Sequence, residues 1–145
     1  MNAMTIRAMA PQDLPGVTEL SAQWGYATTL EATERRFHAL RSEGDHALFV
    51  AAAADGVVAG WIHVHALHSL ESDSCAEIGG LVVDGLCRRQ GAGRALVAEA
   101  EKWARGRGFR KVRVRSNVVR AEAHRFYPAI GFVLHKSQHV YDRAL

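Results

Sequence analysis

The sequence predicts one mixed α/β domain that covers residues 1–145. The length suits a single domain with a core large enough to fold alone, and nearly half of the residues are hydrophobic. Strand-like and helix-like segments follow one another in the order β-α-α-β-β-β-α-β-α-β-β. Only three residues are proline, which argues against a disordered chain.

The first 45 residues predict a strand followed by two helices. Residues 5–9 form a short strand-like run, and Asp13 is placed to cap the helix that follows. The apolar positions of that helix are Val17, Leu20 and Trp24. The capping-box pattern Thr28-x-x-Glu31 opens a second helix. Its apolar face consists of Leu30, Thr33, Phe37 and Leu40.

Three strands are predicted in the middle of the chain, at residues 46–52, 57–66 and 76–83. Asp55-Gly56 is a hairpin turn signal between the first two, and residues 67–75 form a polar loop before the third. On the second strand, Trp61, His63 and His65 share one face, because alternate side chains of a strand point to the same side.

The last third of the chain predicts a helix, a strand, a helix and a closing hairpin. The first helix covers residues 92–105 and ends at Gly106 or Gly108. Its apolar stripe consists of Ala92, Leu96, Ala100 and Trp103. Residues 111–115 alternate as a half-buried strand does. A final helix at 121–130 stops at Gly131, and residues 132–136 and 139–143 form the hairpin.

The run Arg88-Arg89-Gln90-Gly91-Ala92-Gly93-Arg94 lies between a predicted strand and a predicted helix. The first turn of a helix leaves amide N–H groups unpaired, and the helix dipole adds positive charge there. Glycines let an anion approach the backbone, and arginines add charge-assisted bonds. The pattern therefore indicates a phosphate site, although a solvated turn remains an alternative. It matches neither the triphosphate loop nor the dinucleotide fingerprint.

Three segments, in this order, resemble the GNAT superfamily of acyl-CoA-dependent N-acetyltransferases. Arg88-x-x-Gly91-x-Gly93 matches its R/Q-x-x-G-x-G/A signature, and residues 77–84 look like its central strand. Ser116-Asn117 with residues 123–132 looks like its Asn and F-Y-x-x-x-G-F segment. The detailed match covers residues 76–134. The A-H-R-F-Y segment resembles the aminoalkylphosphonate N-acetyltransferase branch.

The resemblance implies the GNAT fold, a central mixed, mostly antiparallel twisted sheet of six to seven strands flanked by about four helices. It implies acetyl-CoA as co-substrate, with the diphosphate on the amides of residues 89–94 and the pantetheine arm along residues 81–83. Asn117 would reach the cofactor, although a helix cap is nearly as good a role for it. The implied cofactor-binding residues are Leu81, Val82, Val83, Arg88, Arg89, Gln90, Gly91, Ala92, Gly93, Arg94 and Asn117.

Two catalytic residues follow from the same resemblance. Tyr127 would protonate the leaving thiolate, because a phenol with a pKa of ~10 stays protonated at neutral pH beside a thiol with a pKa of ~8.5. Glu77 would take the proton of the amine, directly or through water. A solvated carboxylate is an equal alternative for Glu77, and His63 or His65 would be another base. Pro128 directly follows Tyr127 and interrupts the predicted helix, so the sequence does not determine where the Tyr127 side chain points.

Other features bound the class of protein. His63-x-His65, with His68 nearby, is a weak metal signal, and we predict no required metal. The two cysteines, Cys75 and Cys87, are too few for a disulfide framework and are expected to be reduced thiols of a cytoplasmic protein. No apolar run approaches the ~20 residues of a membrane span, so no membrane partner is predicted.

The net charge of +3 hides an asymmetry along the chain. Residues 1–85 carry four Lys or Arg and eleven Asp or Glu, whereas residues 86–125 carry twelve and three. A basic segment suits the binding of an anionic cofactor, and an acidic segment suits the binding of a cationic second substrate. The alternative is that surface charge is unevenly spread for solubility. No nucleic-acid partner is predicted, because no helix-turn-helix, zinc-finger or RNP signature accompanies the basic segment.

The function predicted from these features is acetyl transfer from acetyl-CoA to a primary amine, by direct attack in a ternary complex. A small-molecule amine is favoured, and an aminoglycoside, a polyamine, a protein N-terminus and a lysine stay open. The alternatives are a non-catalytic acyl-CoA sensor or interaction domain and an acetyltransferase that acts on a protein amine. A homodimer is also left open.

Overall fold

The computed structural model describes residues 4–85, 91–116 and 121–145. These residues fall into two compact units, Met1–Val114 and Arg115–Leu145. The organisation as one domain stays a prediction. The strands are β1 (Met4–Ala8), β2 (His46–Ala53), β3 (Val58–Leu67), β4 (Cys75–Val83) and β5 (Val112–Val114). The helices are α1 (Leu14–Gln23), α2 (Leu30–Arg41), α3 (Ala92–Gly106) and α4 (Ala121–Ala129), with a 3-10 turn at Pro11–Asp13.

The first unit is built on one mixed sheet with the strand order β1-β2-β3-β4-β5. The first four strands pair antiparallel, and β5 pairs parallel to β4. This confirms the predicted class, a mixed and mostly antiparallel sheet flanked by helices. Within the described residues, however, the sheet has five strands and not the six to seven predicted.

Helices cover both faces of β3. Ile62 and Val64 are fully buried, and α3 packs against β2, β3 and β4. A β-carbon added at Gly60 on β3 would lie 3.1 Å from Cδ1 of Leu96 on α3. The alternate residues Trp61 and His63 point to the other face. The buried cluster that includes residues of α1 and α2 consists of Met9, Leu14, Val17, Leu20, Phe37, Val50, Val58 and Val82.

The predicted apolar stripe of α3 is confirmed, because one side of the helix is buried while Arg94 and Arg105 are exposed. The buried residues are Ala92, Leu96, Val97, Ala100 and Ala104. The helix ends as predicted near Gly108, which has a positive φ of 84°. The Phe109 N–H donates to the carbonyl of Ala104 at 3.0 Å, which satisfies one of the last carbonyls of α3.

The carboxylate of Asp13 ties β1 to the turn that precedes α1. Arg7 donates to it through Nη1 and Nη2 at 2.7 and 2.8 Å, and the Ala10 N–H donates at 2.8 Å. The hydrogen bond from Arg7 holds the pKa of Asp13 below its usual value, although burial opposes the shift. Asp13 precedes α1 as predicted, but its side chain does not cap that helix, because Arg7 and Ala10 bind its oxygens.

The predicted capping box of α2 is wrong by one residue. The helix is capped by Thr29, whose hydroxyl oxygen accepts a hydrogen bond from the Ala32 N–H at 3.1 Å. Thr28 instead accepts a hydrogen bond from Arg36 at 2.9 Å. With the cap at Thr29, the position that a carboxylate must fill is Ala32, so no capping box forms.

The second unit contains α4 and an extended C-terminal segment. Pro128 lies inside α4, and the helix ends before Gly131, which has a φ of 98°. The hairpin predicted at 132–136 and 139–143 is wrong, because residues 132–145 contain no strand. The apolar side chains that suggested it are 80–88% exposed, and alternation forms a strand only where a neighbour pairs with it. They are Val133, Leu134, Val140 and Tyr141.

No helix within the described ranges has the length and apolarity that crossing a membrane requires.

We expect Asp13→Asn to lower the free energy of unfolding by about 2 kcal/mol. This is less than a fully buried ion pair would lose, because Arg7 is 35% exposed. The pKa of Asp13 is lowered on folding, so its stabilisation is present above the unfolded pKa of ~3.9 and is lost as the pH falls through the folded pKa. Urea unfolding at pH 7 and at pH 3 measures both effects.

The exposed Glu34→Gln is the control, since it removes a carboxylate of the same half of the chain without touching the Arg7 pair. An Asp13→Asn chain as stable as Glu34→Gln at pH 7 would show that the ion pair contributes nothing.

Candidate active site

Strand β4 loses one of its two neighbours part-way along its length. It pairs with β3 from Cys75 to Val83 but with β5 only over residues 76–78. His63 pairs with Gly80 and Val64 with Ile78, so Gly79 is an extra residue that forms a bulge. Within the described residues, no strand pairs with residues 79–83 on the side of β4 opposite to β3. Backbone groups at such an edge can bind an extended ligand.

Two rings of β3 lie against the glycines of this bulge. A β-carbon added at Gly79 would lie 2.8 Å from His63 Nδ1, and one added at Gly80 would lie 2.8 Å from the six-membered ring of Trp61. Neither space admits a side chain unless a ring moves. The two glycines therefore let His63 and Trp61 approach the backbone of β4.

At the N-terminus of α3, the first backbone amides have no acceptor within the helix. Gly91 has a φ of 84°, and no side chain caps the helix. The first bond of the helix runs from the Ala95 N–H to the Gly91 carbonyl at 2.9 Å, which leaves the amides of residues 92–94 without intrahelical acceptors. A β-carbon at Gly91 would meet nothing within 4 Å, and Arg94 is exposed. This end of the helix suits an anion.

A cavity of about 470 Å³ lies in the first unit, beside α1, α2 and the sheet. Four consecutive residues of β4, 79–82, contribute to its wall. Most of the lining side chains are apolar, and Arg36 is the charged one among them. The lining residues are Met9, Leu14, Val17, Ser21, Tyr26, Ala27, Thr28, Thr33, Arg36, Phe37, Leu40, Leu48, Trp61, His63, Gly79, Gly80, Leu81 and Val82.

Three histidines form a cluster at the rim of this cavity. His46 on β2 and His63 and His65 on β3 have ring centroids 5.1–5.4 Å apart. Nδ1 of His46 is hydrogen-bonded to Nε2 of His63 at 2.8 Å. Burial, and next the proximity of His65 and His46, lowers the pKa of His63 to about 4, so its ring is neutral at pH 7.

Each outer histidine of the cluster faces a carboxylate. Nε2 of His65 lies 3.8 Å from Oε1 of Glu77, and Nε2 of His46 lies 3.2 Å from Oε2 of Glu43. The Glu77 side chain is 13% exposed, whereas that of Glu43 is 67% exposed. The structure thus places Glu77 beside the histidines but not in the cavity wall.

Tyr127 lies in the second unit, on α4. Its ring makes edge contacts with Phe126 and Phe132, at centroid distances of 5.1 and 5.5 Å. Pro128 does not break the helix at this point, because α4 extends to Ala129. The other predicted site residues, Arg88, Arg89, Gln90 and Asn117, lie outside the described residues, as does Cys87.

The sequence prediction missed His46 and grouped His68 with the wrong neighbours. His68 pairs with Asp45 at 3.6 Å and with Ser74 at 2.7 Å, and His46 takes the third place in the cluster. His46 could have been predicted as part of the cluster, because it begins a strand that pairs with the strand carrying His63. Cys75 is a buried free thiol, as expected. Within the described residues, no group of three or more His, Cys, Asp or Glu is placed to hold a metal ion.

Comparison with known proteins identifies the family of this chain. The model of the acetyltransferase (GNAT) family matches residues 14–132. The chain belongs to the GNAT acetyltransferase family. It is therefore an acyltransferase, and acetyl-CoA is its acetyl donor. The resemblance seen in the sequence is confirmed.

Aminoglycoside acetyltransferases are among the proteins similar to this chain. Aminoglycoside N(6')-acetyltransferase type 1 of Stenotrophomonas maltophilia is 31% identical over 136 residues, which are 90% of this chain and 87% of the relative. An aminoglycoside N-acetyltransferase in complex with CoA superposes with a TM-score of 0.88 at 20% identity, over 100% of this chain and 97% of that one.

The same enzyme in complex with the bisubstrate analog CoA-S-monomethyl-acetylneamine gives a TM-score of 0.85 at 21% identity, over 99% of both chains. At this identity the solved structures confirm the fold. They do not test the resemblance to the aminoalkylphosphonate branch, which stays a prediction.

Proposed function

We propose that this chain transfers the acetyl group of acetyl-CoA to a primary amine of a small molecule, by direct attack in a ternary complex. One observation carries the proposal. Residues 79–82 of β4 line the cavity and also belong to the edge that β5 leaves free. A thioester held along that edge would lie at the cavity wall, next to an amine bound inside it.

The described residues of the predicted cofactor site fit an acyl-CoA. The backbone of Leu81, Val82 and Val83 would pair with the pantetheine arm. The free amides of Ala92, Gly93 and Arg94 would bind the diphosphate oxygens. The same predicted cofactor site also includes Gly91, Arg88, Arg89, Gln90 and Asn117.

Each chemical step has a candidate group. The neutral amine attacks the thioester carbonyl carbon, and a backbone N–H of residues 79–83 stabilises the oxyanion that forms. The C–S bond then breaks, and Tyr127 donates its proton to the thiolate. There are two candidates for the group that takes the amine proton: Glu77, which would act through water or through His65 because it is not part of the cavity wall, and His63, which lines the cavity.

The cavity wall favours an amine with an apolar body. No Asp or Glu is among the described residues that line it, and residues 1–3, 86–90 and 117–120 contain none. An aminoglycoside carries several ammonium groups, whose burial without carboxylates costs free energy. A monoamine with an aromatic or aliphatic body would gain about 25 cal/mol for each Å² of apolar surface buried.

Release of thiol from acetyl-CoA tests this function. We expect thiol release with phenethylamine, with kcat/KM at least about 10-fold above that for neamine, equivalent to ~1.4 kcal/mol. A lysine-containing peptide is the third acceptor. Preference for the peptide would indicate a protein acetyltransferase. No thiol release with any amine, despite tight CoA binding, would indicate a non-catalytic acyl-CoA sensor.

We expect Gly91→Trp to weaken CoA binding at least about 10-fold, because the indole would cover the amides at the start of α3. Gly108→Trp is a matched control, since Gly108 has the same φ of 84°, equally open surroundings and a place beyond the other end of α3. Calorimetric titration with CoA measures both variants. Equal CoA affinities of the Gly91→Trp and Gly108→Trp variants would show that the diphosphate does not bind at the N-terminus of α3.

We expect Tyr127→Phe to lower kcat about 10–1000-fold and to leave CoA affinity unchanged, because only the proton donor is lost. Tyr141→Phe is the control, as Tyr141 is a tyrosine of the same unit that is 88% exposed. Steady-state rates with phenethylamine measure the effect. A Tyr127→Phe chain with the turnover of the wild type would eliminate Tyr127 as the acid.

A further inference from the structure

We propose that His63, His46 and Glu43 form a proton relay that carries a proton from the acceptor amine in the cavity to solvent. The inference rests on the proposed acetyl transfer. At neutral pH an alkylamine is an ammonium ion, and transfer of the acetyl group from the thioester to its nitrogen yields an amide, a thiol and one proton. The N–C bond forms, the C–S bond breaks, one ammonium proton balances the thiol and the other must leave the site.

The relay begins at the cavity wall. The His63 side chain lines the cavity, and its Nδ1 atom faces the bulge of β4, 2.8 Å from the point where Gly79 would carry a β-carbon. The same bulge borders the edge proposed to hold the thioester. His63 is therefore the titratable group of the cluster that an amine in the cavity meets beside the reacting carbonyl.

Two further contacts connect His63 to the surface. Its Nε2 atom lies 2.8 Å from Nδ1 of His46, and Nε2 of His46 lies 3.2 Å from Oε2 of Glu43. The exposed fraction of the side chain rises from 19% at His46 to 67% at Glu43. The path thus ends at a carboxylate in contact with water.

A single choice of tautomers satisfies every contact of the path. With both histidines protonated on Nε2, His63 donates to His46 and His46 donates to Glu43. This choice leaves Nδ1 of His63 without a proton, and that atom lies on the side of the β4 bulge, whose residues Gly79 and Gly80 line the cavity. Both rings are then neutral, and a proton received at Nδ1 has a continuous route outward.

The surroundings keep His63 in the form that can accept a proton. Burial and the adjacent His65 and His46 lower its pKa to about 4, so the ring is neutral at pH 7, and in the tautomer given above Nδ1 is the nitrogen without a proton. Nδ1 of His65 is 3.0 Å from the Ala66 carbonyl, which turns that ring away from the relay toward Glu77. The described charged or titratable groups around His63 are His46 on β2, His65 on β3, Glu77 on β4, Arg36 on α2 and Tyr26 after α1.

The relay conserves protons and charge at each step. The ammonium gives a proton to His63 Nδ1, His63 gives its Nε2 proton to His46 Nδ1, and His46 gives its Nε2 proton to Glu43. Glu43 releases it to water. Each ring ends neutral in the other tautomer, and proton exchange with water after the product leaves restores the first.

His46→Phe tests the relay, because it keeps a ring at the same place and removes both nitrogens. We expect kcat with phenethylamine to fall about 10–100-fold at pH 7 with KM unchanged. The deficit should shrink as the pH approaches ~10, the pKa of an alkylammonium such as lysine, since the amine then arrives neutral. His38→Phe is the matched control, as His38 is an exposed histidine of α2 outside the relay.

His63→Ala supplies a second readout. We expect a similar loss of kcat at pH 7 and partial recovery with added imidazole, which can occupy the space of the lost ring. The melting temperature of each variant confirms that the chain is folded.

Three outcomes would overturn the relay in a chain that releases thiol. The first is full turnover in His46→Phe and His63→Ala at pH 7. The second is a loss in His46→Phe that is equal at every pH, which indicates a structural role. The third is a pH-dependent loss in Glu77→Gln alone, which assigns the base to Glu77. Absence of thiol release by the wild-type chain would instead contradict the proposed function.

Discussion

The separation of β4 from β5 after residue 78 is the constraint on which the site depends. The bulge at Gly79 shifts the register with β3, and the absence of side chains at Gly79 and Gly80 admits the rings of His63 and Trp61. Among the described residues, the same short stretch of β4 thus lacks a neighbouring strand on one side and also forms part of the cavity wall. An edge without the cavity would bind an extended chain but would offer no place for a second reactant.

Helix α3 contributes both to the stability of the fold and to the proposed binding of an anion. Its buried side packs on the sheet, while its first amides have no side-chain cap, because the residue at the capping position is Gly91, which is in the left-handed conformation. A side-chain cap would stabilise the helix by about 1 kcal/mol but would occupy the amides that an anion needs. The missing cap is thus a local cost that is consistent with binding, as functional sites often show.

The likeness to aminoglycoside acetyltransferases shows the family and the fold of this chain, and it does not by itself show the acceptor. One scaffold can accept many substrates, because specificity lies in the side chains that line the site. Here the wall is largely apolar with Arg36 as its charged residue, and the titratable groups are gathered at the rim around His63. Burial and the neighbouring histidines lower the pKa of His63, so that imidazole is neutral at pH 7.

Local patterns in the sequence were enough to predict most helices and strands, the start of α3 after Gly91, and the family. Each of these depends on residues close in the chain, such as the apolar stripe of α3 or the glycine run at 91–93. Contacts between distant segments were decided by the tertiary structure alone. Arg7 draws the carboxylate of Asp13 away from α1, and residues 132–145 form no strand because no neighbour pairs with them. His46 joins His63 across 17 positions, because the register of two antiparallel strands is set by packing and not by either strand alone.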